Sequence, residues 1–245
     1  MTTVAFDAPY RRLWSATVLS NLGDGIRAAA FPLLATTLTH DPMLISGVAV
    51  ASQSPGLLLG LTAGSLADRF DRRRLVIVAD GMRLVFLFGL ITLVAAGRAS
   101  MSVVYVVVFV SGVTDVVRNT AASILVPSIV DPAALDRANS RLVTAEIAGN
   151  EFAGPPLGGY LIGIALVAPF AVNGGTLAIA VALIAGVPAL AQTTHTASGR
   201  RTRRQRSQIR VGLQWLRQHR SVWPVPATSV ALAVSDSAWF TVLVL

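Results

Sequence analysis

The chain has 245 residues and a mass of 25.6 kDa; 53% of its residues are hydrophobic, only 13% are charged, and the mean hydropathy is +0.65. A soluble domain carries about 25% charge, so this composition points to a membrane rather than to cytosol, and it makes the net charge of +8 a question of where the basic residues stand. With no cysteine and no lysine, all 20 basic residues being arginine, the chain has no disulfide, Cys-ligated zinc, iron–sulfur cluster, thiol nucleophile, Walker A loop or Schiff-base lysine, and His40, His195 and His219 are too scattered for a metal site.

Spans of about 20 apolar residues cross a bilayer as helices, and stretches of that length recur at 13–38, 43–67, 75–97, 101–126, 142–166 and 169–191. A seventh begins near Val222 and runs to Leu245, where the sequence ends within apolar residues, the pattern expected of a truncated chain. Glycine and proline inside the spans, such as Gly23, Gly25, Pro32 and Pro55, are tolerated in membrane helices. Ser52, Gly56, Gly60 and Gly64 recur every four residues and predict a small-residue ridge for helix packing.

Alternate connections hold Arg11, Arg12, Arg69, Arg72, Arg73, Arg74, Arg137, Arg141 and the eight arginines from Arg200 to Arg220, whereas Arg98 alone falls on the opposite side. The positive-inside bias makes the rich side cytoplasmic and puts the N-terminus inside the cell membrane. The same placement argues against nucleic acid as the partner of the basic charge. Arg11 and Arg12 before an apolar run mimic a signal peptide, but Asn21 and Asp24 interrupt the run and five spans follow. Tyr10, Trp14, Trp215 and Trp223 sit where headgroup-level aromatic rings are favoured.

The longest polar stretch, 193–221, is rich in threonine and serine and then basic. Within it Ile209, Leu213 and Leu216 share one helical face and Arg206, Arg210 and Arg217 another, as in a helix lying on an anionic inner leaflet. The predicted organisation is therefore a six-span unit over 1–192, a cytoplasmic linker over 193–221 and the start of a seventh span over 222–245.

Between the second and third spans stands Gly64-Ser65-Leu66-Ala67-Asp68-Arg69-Phe70-Asp71-Arg72-Arg73-Arg74. It resembles motif A of the major facilitator superfamily, G-x-L-A-D-R-x-G-R-[RK], in the loop where that family carries it. The resemblance implies that Gly64, Asp68, Arg69, Arg72 and Arg73 belong to a charged latch that closes the cytoplasmic side. Asp71 departs from the pattern, which has glycine there. In the fifth span Gly154-Pro155-Pro156-Leu157-Gly158-Gly159 is similar to motif C of proton-coupled exporters. Pro155 removes a backbone donor while Gly154, Gly158 and Gly159 admit a close neighbour, as suits a hinge or a seam between halves. The motif's upstream glycines would fall on Asn150 and Glu146, with Gly149 out of phase, and motif B is not met, since Val108 precedes Gly112 by four. Leu22-Gly23-Asp24-Gly25-Ile26, Leu125-Val126-Pro127 and Leu135-Asp136-Arg137-Ala138-Asn139 add a likeness to the branch with enterobactin and macrolide exporters.

A charge at the centre of a membrane helix costs about 2.5–3.5 kcal/mol on insertion scales, so Asp24, Arg27, Asp80, Arg83, Asp115, Arg118, Glu146 and Glu151 need a partner or a purpose. Asp24 with Arg27, Asp80 with Arg83 and Asp115 with Arg118 are three apart, so pairing along each helix is one expectation. Asp24 and Glu151 fall roughly 15–20 Å from the cytoplasmic helix ends, near the depth at which secondary transporters bind ions and substrates, and are the first candidates to carry protons; Arg27, Asp115, Arg118 and Glu146 complete the candidate site.

The fold class expected is all-α and polytopic: the six-helix N-terminal half of a facilitator transporter, with its C-terminal half supplied in cis or by a second copy in trans. The resemblance implies proton-coupled export of small amphipathic compounds by alternating access, with the bilayer, protons and a small-molecule substrate as partners, no nucleic acid, no cofactor or metal and no enzymatic activity. A permease subunit of an ATP-driven system and a non-transporting or regulatory half-transporter are the alternatives.

Overall fold

A computed structural model describes residues 7–67 and 71–186, with residue 228 besides. Every element among the described residues is helical: α1 (Ala8–Leu38), α2 (Pro42–Ala67), α3 (Arg72–Ala95), α4 (Met101–Ile129), α5 (Leu135–Ile147), α6 (Gly154–Ile164) and α7 (Ala168–Ala185). A 3-10 turn at Pro132–Ala134 leads into α5, and a π-helical turn at Ala148–Ala153 joins α5 to α6 in one continuous rod. Among the described residues four segments, Pro42–Leu59, Arg73–Ala95, Met101–Pro127 and Ala168–Ala185, are long and apolar enough to cross a membrane. The expected linker and seventh span, and Asp68 and Arg69 of the loop motif, lie outside the described residues.

Helices α1, α3 and α5 begin earlier than the apolar runs at 13, 75 and 142 suggest, because their first turns carry polar or charged residues. Helix α3 starts at Arg72 rather than Leu75, and Asp71 explains how: its carboxylate accepts a hydrogen bond from the Arg74 backbone N–H at 2.8 Å. An acidic N-cap satisfies an otherwise unpaired donor and offsets three arginines at the positive end of the helix dipole. The departure from the family pattern is therefore a helix cap.

The buried apolar residues form two clusters. One gathers Tyr10, Leu13, Val76, Leu125, Val126 and Ile184 near the starts of α1 and α3 and the ends of α4 and α7. The other gathers Phe31, Leu34, Leu87, Leu90, Val104, Val108 and Phe170 toward the opposite end. At the first end Arg73 donates from Nε to the Ile184 carbonyl at 3.2 Å and from its terminal nitrogen to Ala185, while Arg12 donates to Gly186. These cations satisfy the carbonyls that the last turn of α7 leaves open.

The rod α5–α6 lies against α1 so closely that backbone meets backbone. A Cβ added at Gly154 would meet Gly25 and the Gly149 carbonyl, one at Gly25 would meet Gly149 and Asn150, and one at Gly158 would meet the Ile26 carbonyl. The π-turn makes this possible. In a regular α-helix Gly149 is out of phase with Gly154, but the Gly154 N–H bonds to the Gly149 carbonyl across five residues, and the wider turn brings both glycines onto the α1 side. The pattern expected at steps of four is met through a step of five. A glycine seam accordingly lies within this unit, on α1; Gly159 meets nothing within 4 Å among the described residues. Along the small-residue ridge Gly56 likewise meets nothing within 4 Å among the described residues, and α2 meets α4 through Ser52 and Pro55 over Gly112.

Two outcomes follow from this packing. Gly25→Val should destabilise the protein by about 1–3 kcal/mol through overpacking, while Gly159→Ala should leave its thermal unfolding in detergent, followed by circular dichroism, unchanged. Asp71→Ala should cost about 1 kcal/mol by loss of the cap, read in the same measurement.

Candidate functional site

Between the two apolar clusters lies a layer of charge. It is assembled from the middle of three helices: Asp24 and Arg27 of α1, Asp80 and Arg83 of α3, and Asp115 and Arg118 of α4. Arg83 is fully buried and reaches both other helices, pairing with Asp24 and, from its Nη1, with Asp115 Oδ1 at 2.7 Å. Arg27 Nη2 lies 2.8 Å from the other Asp115 oxygen and 3.6 Å from Asp24. Arg118 Nε lies 3.3 Å from Asp80 Oδ2.

The expected pairing along each helix is thus largely corrected. Of the three pairs spaced three apart, only Asp24 with Arg27 is formed among the described residues, and at the longest distance in the set. The shorter contacts join different helices. The reason is geometric: residues three apart share a helix face, and here each such face is turned toward another helix that carries the opposite charge at the same depth. Charges that neutralise in the bundle satisfy the insertion cost as well as charges that neutralise along one helix, and they tie α1, α3 and α4 together in doing so.

The layer is electrically balanced, with three aspartates and three arginines, and it has a wet and a dry end. The Asp115 and Asp24 side chains are 26% and 15% exposed, whereas Asp80 and Arg83 are 1% exposed. Arg27 is further held over the Phe31 ring at 5.9 Å, and Phe31 packs on Phe170 with ring centroids 5.3 Å apart. The cation is thereby anchored to the upper apolar cluster by an attraction that strengthens where water is excluded.

Of the residues singled out in the sequence, Asp24, Arg27, Asp115 and Arg118 come together in this layer. Asp80 and Arg83, noted there only as internal charges, prove to be its centre; their position next to the middle of α3, level with Asp24 and Asp115, was the signal. Glu146 and Glu151 do not join it and lie on exposed faces of α5 and of the π-turn. Arg73 of the loop motif holds the end of α7, and Gly154 and Gly158 hold α1.

Comparison with known proteins fits this arrangement. Residues 13–245 match the profile of the Major Facilitator Superfamily. The chain belongs to that superfamily. It is a multi-pass membrane protein, and its family is one of transporters rather than enzymes. Over 122 residues it is 31% identical to an uncharacterized MFS-type transporter of Mycobacterium tuberculosis, a match covering 49% of this chain and 27% of that protein. Over 67 residues it is 39% identical to the multidrug efflux pump Tap of the same organism, covering 27% of this chain and 16% of the pump. The matched part thus spans about a quarter or less of either relative's length.

Removing one partner from a buried ion pair leaves the other uncompensated, at about 3–5 kcal/mol. Asp115→Asn, which strips a carboxylate from both Arg27 and Arg83, should therefore unfold the protein at much lower temperature. Adding Arg83→Met to the same chain should recover part of the loss, as followed by fluorescence-detected size exclusion after heating.

Proposed function

We propose that this chain forms the N-terminal six-span part of a proton-coupled exporter in the cell membrane, with its N-terminus in the cytoplasm. The six spans are α1, α2, α3, α4, the rod α5–α6, and α7, followed by the cytoplasmic linker over 193–221 and a seventh span over 222–245. The observation that carries the reading is the balanced charge layer at mid-helix depth. Ionisable groups inside a membrane mark ion pathways and relays, and a layer with a partly exposed end gives protons a place to enter.

Export of small amphipathic compounds, such as drugs, macrolides or siderophores, is supported by motif C, by the branch likeness and by the efflux pump among the relatives. Alternating access would come from rocking this unit against a second six-span unit, in cis or in trans. The loop motif supplies the latch: Arg73, with Arg12, grips the end of α7 at the arginine-rich side. Asp24 and Glu151 are the candidate carboxylates on α1 and on the π-turn.

The test uses ethidium as the transported probe in cells that make the intact transporter. A protonophore should abolish ethidium efflux, and depletion of ATP at intact proton gradient should not. Replacing Asp24 by Asn together with Glu151 by Gln should remove the proton-driven component. Efflux that follows ATP, or that is unchanged in the double variant, contradicts the proposal.

A further inference from the structure

The three carboxylates of the charge layer are not held alike. Asp115 is gripped by two arginines, Arg27 and Arg83, in hydrogen bonds of 2.8 and 2.7 Å. Asp24 also has two, Arg83 and Arg27. Asp80 has one, Arg118, and the contact is an ion pair without a hydrogen bond: neither Asp80 oxygen, nor the Arg118 Nε beside it, makes a hydrogen bond among the described residues. Asp80 is at the same time the driest of the three, with 1% of its side chain exposed.

A buried carboxylate is retained in ionised form by donors. Asp115 has two such donors; Asp24 has none among the described residues but keeps two cations and some exposure; Asp80 has two idle oxygens, one neighbouring cation and almost no exposure. The charged groups around it are Arg83 on its own helix, Asp115 and Arg118 from α4, and Asp24 and Arg27 from α1, while α7, which also packs on α3, carries no titratable residue. Arg118, for its part, has a second acceptor within reach of its own helix face, since Asp115 stands three residues before it.

We propose that Asp80 is the inner carboxylate to which a proton admitted on the Asp24 side passes, and that its neutralisation transfers Arg118 from Asp80 to Asp115. This rests on the reading of the chain as a proton-coupled transporter. The step is a proton transfer only: a proton entering from water at the exposed side of Asp115 and Asp24 binds one Asp80 oxygen, and it leaves by losing that bond to water again. With Asp80 ionised the layer sums to zero and Arg118 holds α4 to α3. With Asp80 neutral the layer carries one positive charge, and Arg118 competes with Arg27 and Arg83 for Asp115. That competition weakens the ties of α1 to α3 and α4, the helices whose relative position a rocking transporter must change. Asp80 is thus a coupling residue, and Arg118 is the positioning residue that reports its state.

The experiment is an infrared titration of the purified intact transporter in lipid, following the carbonyl stretch of protonated carboxyl groups across the neutral pH range. The wild type should show a titrating buried carboxyl, Asp80→Asn should lack it, and Asp80→Glu should restore it at a displaced frequency. A band that is identical in all three proteins, or no titrating band in the wild type, overturns the proposal. If Asp80→Asn does not fold, the presence or absence of displacement in Asp80→Glu decides. Ethidium movement driven by a pH gradient, in vesicles of the same protein, separates the two readings. Gradient-driven movement that survives in Asp80→Asn overturns the role of Asp80 and leaves proton coupling standing. A titrating Asp80 in a wild type whose ethidium movement ignores the gradient overturns proton coupling and leaves the protonation of Asp80 standing.

Discussion

Six ionised side chains in the middle of a membrane bundle are the constraint around which the rest is arranged. Each alone is costly in hydrocarbon, and they persist because Arg83, wholly buried, links Asp24 of α1 to Asp115 of α4 while Arg27 takes the other Asp115 oxygen and Arg118 lies against Asp80. The arrangement fixes the depth and rotation of α1, α3 and α4 together, because a helix turned by one residue would carry its charges away from their partners. The apolar clusters above and below keep water from its dry end, around Asp80 and Arg83, and keep the pairs there strong.

A second constraint acts where charge is absent. The α5–α6 rod must lie against α1 at the level of Asp24, and its glycines allow this only because the π-turn brings Gly149 and Gly154 to one side. Pro155 and Pro156 lack the donors that a regular helix would use there, so the sequence that ends one helical pattern also makes the wider turn. Glycine contact and ion pairing therefore converge on the same stretch of α1, between Asn21 and Phe31.

Much of this was legible in the sequence. Apolar length gave the helical order and the loop motif pointed to the family, because these signals depend on one segment at a time. Helix starts were less legible, since Asp71 reads as a deviation from a motif until its carboxylate is seen on the Arg74 N–H. The charged positions could be named, but not their partners. Spacing of three along a chain favours pairs within a helix, and only the packing of α1, α3 and α4 shows that Asp115 belongs to Arg27 and Arg83 rather than to Arg118. The depth of Glu151 follows from the sequence, and the π-turn turns it to an exposed face. Depth is set by residue count, but direction is set by the turn.

The claim on which all this stands is that the charges pair between helices. Its most direct measurement is solid-state NMR of the protein in lipid, with arginine guanidinium nitrogens and aspartate carboxylate carbons labelled, reading which arginine lies against Asp115. The structure calls for contacts from Arg27 and Arg83 to Asp115 and from Arg118 to Asp80. Contacts from Asp115 to Arg118 and from Asp80 to Arg83 alone, each along its own helix, would contradict it.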